Sequence, residues 1–121
     1  MVVHGAVLRS RFFSTEQVEA IVQDYRHAGL TPAEVAMLAF AEKVTLHAYR
    51  ITERDWQELR DHGFSDAEIL DILLTATGRT FFSKTMDAIG AGPDDAYLTL
   101  EPRLREALTV GRAFGQGEYG R

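Results

Sequence analysis

LTPAEVAMLAFAEKVTLHAYR, residues 30–50, carries its own start signal. Thr31 stands as an N-cap, Pro32 as the first helical residue, and Glu34 is placed to reach back and close a capping box. Apolar residues follow at helical spacing. Val35, Leu38, Ala41 and Val44 share one face, and Met37 and Phe40 widen it. The stretch therefore predicts a long helix with a broad apolar face.

The same punctuation repeats on either side. STEQVEAIVQDYRHAG (14–29) has Ser14 or Thr15 as N-cap, an apolar stripe of Val18, Ile21, Val22 and Tyr25, and a stop at Gly29. ITERDWQELRDHG (51–63) is capped by Thr52 with Asp55 three residues on, turns Trp56 and Leu59 inward and ends at Gly63. FSDAEILDILLTATGRTFFSKTMDAIG (64–90) opens with a Ser65/Glu68 capping box and a staple of Phe64 with Ile69, then runs as a long helix to near Gly90. MVVHGAVLRSRFF (1–13) has the pattern of a helix already under way.

After Gly90, AGPDDAYLTLEP (91–102) reads as turn and loop, RLREALTVGRAF (103–114) as one short final helix, and GQGEYGR (115–121) as a frayed tail. AYLTL (96–100) is too short to argue for a strand. The expectation is an all-α fold of about five helices in a single domain over 1–121, with 92–121 as loop, short helix and tail.

Within the long helix, ILDILLTATGRTFF (69–82) is apolar or small almost all round. Such a helix is central in its fold or lies in a subunit interface. Arg79 is the full charge in the later part of that run. Two readings stand: a buried pair with Glu42, which lies in the apolar stretch LAFAEKV, or a surface position with the stem snorkelling over apolar neighbours.

Bulk properties narrow the function classes. The 121 residues are 45% hydrophobic and 26% charged, ordinary for a soluble globular chain. A net charge of −5 argues against nucleic-acid or anionic-membrane binding. No apolar run approaches the roughly 18–20 residues that span a bilayer. Arg9 and Arg11 follow the short apolar start instead of preceding it, which is not signal-peptide order, and a cytoplasmic protein is expected. The cysteine count is 0, so the chain itself has no disulfide, no thiolate metal site and no cysteine nucleophile.

Little else carries chemistry on its own. His27 and His62 sit in last helical turns, where a cation complements the helix dipole. His47 has no second ligand one turn on, no two histidines have helical ligand spacing, and no metal or cofactor is expected. GQGEYG is not a phosphate loop, Asp94 and Asp95 read as a solvated turn, and Met37 and Met86 read as core. His4, set among Val3, Val7 and Leu8, is by itself a packed or half-exposed side chain.

VVHGAVLRS, DYRHAGLTPAEVAMLAFAEKVT and GFSDAEILDIL together resemble the carboxymuconolactone decarboxylase/alkylhydroperoxidase D (AhpD)-like family, in particular its peroxidase-related branch. The resemblance runs up to about Gly90. It implies an all-helical fold that assembles as dimers, trimers or hexamers. It also implies a Cys-x-x-Cys-x-x-x-His motif on a helix, in which a thiolate attacks peroxide, the second cysteine closes a disulfide and the histidine relays a proton. His4 matches the motif histidine and Gly5 the glycine often found after it. Counting back from His4 puts the second cysteine just before Met1, so the front of the family domain, with both cysteines and an upstream glutamate, is expected to be missing. Either a longer protein is seen in part, or a short one has kept the scaffold without its redox site.

The functional expectation is thus an AhpD-like protein, inactive as a thiol peroxidase as given, with His4 as the one catalytic candidate. The alternatives are a non-redox helical binding or oligomerisation module, and a cysteine-free, decarboxylase-like acid/base enzyme using His4. Expected partners are a second copy of the chain, as dimer or higher, and a small apolar ligand or hydroperoxide.

Overall fold

The computed structural model describes residues 2–110, with side chains from His4 onward. Among these residues six α-helices follow one another: α1 Val2–Arg11, α2 Thr15–Asp24, α3 Pro32–His47, α4 Glu53–Asp61, α5 Asp66–Ala88 and α6 Pro102–Leu108. Short 3₁₀ turns extend α2 (Tyr25–His27) and α3 (Ala48–Arg50), and a third (Asp95–Thr99) precedes α6. No strand occurs among the described residues; residues 96–99 lie within the third 3₁₀ turn and Leu100 is its C-cap. The six helices correspond one to one with the six helical segments read from the sequence, against an expected total of about five. The last helix ends at Leu108 with Thr109 as its extended C-cap, short of the expected Phe114, and residues 111–121, the expected tail among them, lie outside the described residues.

The chain forms two compact units, one spanning Leu30–Thr85 and one built from the residues up to Gly29 together with those from Met86. In the Leu30–Thr85 unit each helix start follows its cap. The Glu34 amide donates to Thr31 Oγ1 at 3.2 Å and the Thr31 amide to Glu34 Oε2 at 2.8 Å. Ser65 and Glu68 close the same box before α5, at 2.7 and 3.2 Å. The helix stop at Gly63 has φ 93°, a left-handed conformation that glycine adopts without strain.

The core of this unit is Ala36, Phe40, Val44, Leu59 and Ile69, with Ile51, Trp56, Phe64, Ile72, Leu73 and Ala76 packed around it. The expected staple is present, since Phe64 packs on the cluster that holds Ile69. Trp56 meets Phe40 edge-on, ring centroids 6.1 Å apart. The buried stripe of α3 is Ala36–Phe40–Val44, which corrects the expected face: Val35, Leu38 and Ala41 are only half-buried. Because α3 is apolar on most sides, its neighbours decide which side turns inward. Lys43 of α3 reaches Asp55 of α4 at 2.6 Å, and Arg60 of α4 donates to Asp66 of α5 at 2.7 Å.

The other unit packs α1, α2 and α6 around Val18, Leu104 and Leu108, all 1% exposed or less. Leu8, Phe13, Val22, Tyr97 and Leu100 complete that cluster. Ser14, not Thr15, is the N-cap of α2, and its hydroxyl and the Gln17 side chain close a capping box at 3.2 and 3.1 Å. The segment after Gly90 is therefore no appendage: it supplies two of the three buried residues in this cluster.

Candidate functional site

His4 lies in the first turns of α1 and is exposed. Its helical neighbours divide: Val7 is exposed, whereas Leu8 packs on the Val18–Leu104–Leu108 cluster. The side chain thus stands at the border between the wet and packed sides of α1. The next residue, Gly5, is buried and fits closely. A Cβ there would stand 2.5 Å from Leu108 Cδ1 and 3.0 Å from its Cγ. The absent side chain at Gly5 is what lets α1 approach α6, and this close approach fixes the turn that carries His4.

A second fixture lies further along α1. One carboxylate oxygen of Glu101, Oε1, accepts from Arg9 Nη2 at 2.8 Å, Arg9 Nε at 3.2 Å and Thr15 Oγ1 at 3.1 Å. Arg9 Nε also donates to Thr15 Oγ1. The three residues join α1, the first turn of α2 and the start of α6. Glu101 is held below the ordinary carboxylate range, first by its own backbone amide and then by Arg9 and Thr15. Nothing in the sequence announces this group, because Glu101 lies far along the chain from both partners.

The remaining candidates do not converge. His27 Nδ1 bonds Asp24 Oδ2 at the end of α2, and Asp24 is held low first by that bond and then by the Arg26 amide. His47 lies edge-on to Tyr49 with ring centroids 6.2 Å apart, and His62 is the C-cap of α4. Asp94 and Asp95 are exposed at the start of the third 3₁₀ turn. Among the described residues no three His, Asp or Glu side chains could hold a metal ion together, and no helix is long and apolar enough to cross a membrane. Arg79 is half-buried with its guanidinium carbon 5.7 Å from the Phe82 ring centroid, a contact within its own helix. Glu42 is exposed.

No family profile and no curated protein matches the chain. Among solved structures it matches one described as an alkylhydroperoxidase AhpD core, an uncharacterized peroxidase-related protein from Ralstonia eutropha JMP134. The two share 30% sequence identity and superpose with a TM-score of 0.75 over 82% of this chain. The chain is similar in sequence and in fold to this AhpD-like, peroxidase-related protein. This AhpD-like chain spans about half the length of that structure, 52%. Its all-helical fold is the one the resemblance implied. His4 and Gly5 lie together on α1, while the 121 residues of the AhpD-like chain include no cysteine.

Proposed function

We propose that this AhpD-like chain is the scaffold of a thiol-dependent peroxide reductase, in which His4 relays protons and the thiols are not supplied by these residues. The observation that carries the reading is an exposed histidine on a helix anchored by the adjacent glycine, in a fold similar to an AhpD core. In the family's chemistry a thiolate attacks one peroxide oxygen, an alcohol or water leaves with a proton, and the sulfenic acid condenses with the second thiol to a disulfide and water. An external dithiol then reduces that disulfide. Imidazole is suited to moving those protons near neutral pH. With no cysteine the chain alone does not turn over peroxide by this route.

The reading places the protein in the cytoplasm, where dithiol reductants stay reduced, and as a homo-oligomer with a hydroperoxide or small apolar molecule as ligand. The test adds a Cys-x-x-Cys pair ahead of residue 1, its second cysteine four positions before His4, and follows peroxide loss with dithiothreitol as reductant. Turnover that falls roughly 100-fold on His4→Ala is expected. A folded variant without turnover would count against the proposal.

The binding-module reading draws support from the large apolar side chains exposed on α5. It expects a stable oligomer whose ligand binding is indifferent to His4→Ala. A decarboxylase-like acid/base reaction instead requires an activity of the unmodified chain, with a bell-shaped pH profile, that His4→Ala abolishes.

A further inference from the structure

We propose that α5 carries a hinge at Thr77 and Gly78, which divides it into an anchored segment, 66–76, and a movable arm, 77–88. The inference stands apart from the proposed chemistry and from any association between copies.

The anchored segment is the part that packs. Ile69, Ile72, Leu73 and Ala76 belong to the core of the Leu30–Thr85 unit, and among the described residues no later residue of α5 joins it. Past Ala76 the large side chains stand in the open: Phe81 is 75% exposed and Phe82 53%. A helix in a protein owes most of its stability to the face it buries. The turns after Ala76 therefore depend on their own backbone.

The sequence weakens that backbone at one place. TATGRT, 75–80, puts three threonines and a glycine into a little more than one turn. Threonine is a poor helix former, and glycine in a helix interior is poorer still. A helix can keep a glycine because the missing side chain makes room for a neighbour, as Gly5 does for Leu108. At Gly78 that reason is absent, since a Cβ there would meet nothing within 4 Å. What glycine supplies there is backbone freedom.

The threonines act on the same turns. Thr77 Oγ1 donates to the Leu73 and Leu74 carbonyls at 3.0 and 3.2 Å, and Thr80 Oγ1 to the Ala76 carbonyl at 2.9 Å. These carbonyls are the ones on which the amides of Thr77, Gly78 and Thr80 close the helix. Hydroxyls bonded back onto the preceding turn loosen such a ladder, and helices that carry them bend there. The end of the core contacts, the glycine without a packing role and the back-bonded threonines all fall between Ala76 and Thr80. The hinge lets Phe81 and Phe82 swing while Ile69 stays seated.

Because the chain has no cysteine, spin labels can be placed through Leu70→Cys and Lys84→Cys at two exposed positions, about 21 Å apart along a straight helix. The labelled chain is diluted in unlabelled chain, so that dipolar electron resonance reads distances within one chain. The parent should give a broad distribution, and Gly78→Ala a narrower one centred near the straight-helix value. Alanine meets open space at this position, so the variant folds as the parent does. Amide hydrogen exchange gives a second reading. Gly78→Ala should slow the amides of 79–82 about five-fold, the size of the difference in helix propensity, and leave those of Ile72 and Leu73 unchanged. Distance distributions of equal width in parent and Gly78→Ala overturn the hinge. So does a slowing shared equally by 72–73 and 79–82, which would mean that α5 opens as one rod.

Discussion

Gly5 is a packing residue before it is anything else. Adding one methyl group would drive it into the side chain of Leu108, which is 1% exposed. Overpacking of this kind costs about 1–3 kcal/mol, offset by up to about 1 kcal/mol of better helix propensity. Gly5→Ala should therefore lower stability by about 1–2 kcal/mol, read from the urea midpoint. The double variant Gly5→Ala, Leu108→Ala should lose less stability than the sum of the two single changes, because the added methyl occupies the space vacated. Glu101 makes a different expectation. Its pKa is lowered in the fold, so the unfolded chain binds its proton more readily. Its contribution is present above the ordinary carboxylate range and is lost as pH falls through the depressed folded value. The gap in urea midpoint between parent and Glu101→Gln should be open at pH 7 and close on acidification.

Among the helices, what could be read in advance was local. Thr31 with Glu34, Thr52 with Asp55 and Ser65 with Glu68 each lie within one turn, so cap and partner are visible together. The left-handed stops at Gly29 and Gly63 are equally local. The face of α3 was not legible, because a helix apolar on most sides has no preferred direction until α4 packs against it. The role of α6 was not legible either: Leu104 and Leu108 are buried only because α1 and α2 come back to them. The same distance hid the group around Glu101, and His4 drew attention only through a motif whose other members are not among these residues. Asp55 tests the α3–α4 connection. Burial raises its pKa, but bonds from Lys43 and from the Thr52 amide and hydroxyl outweigh that, and the net shift is downward. Asp55→Ala should cost about 1–2 kcal/mol near neutral pH, of the size of a lost cap, with the difference from parent shrinking as the parent carboxylate protonates.

At the scale of the molecule the described residues hold two cores. Ile69 is 0% exposed in one and Leu104 0% exposed in the other. Truncating either to alanine should cost about 2–5 kcal/mol locally. Amide hydrogen exchange should separate them, with Ile69→Ala speeding exchange chiefly in α3 and α4, and Leu104→Ala chiefly in α1 and α2. Uniform acceleration across all four helices after either change would mean that the cores do not open separately. The connectivity of the units also has a temporal side. Leu30–Thr85 is one continuous stretch, while the other unit joins residues before Gly29 to residues after Met86. On a translating ribosome the continuous unit is complete as soon as Thr85 clears the exit tunnel. The first two helices are made earlier, yet they must wait for Leu104 and Leu108 to emerge before their apolar sides are covered. During synthesis at about 5–20 residues per second, that wait lasts seconds. The helix bearing His4 is thus made before the continuous unit and finds its place after it.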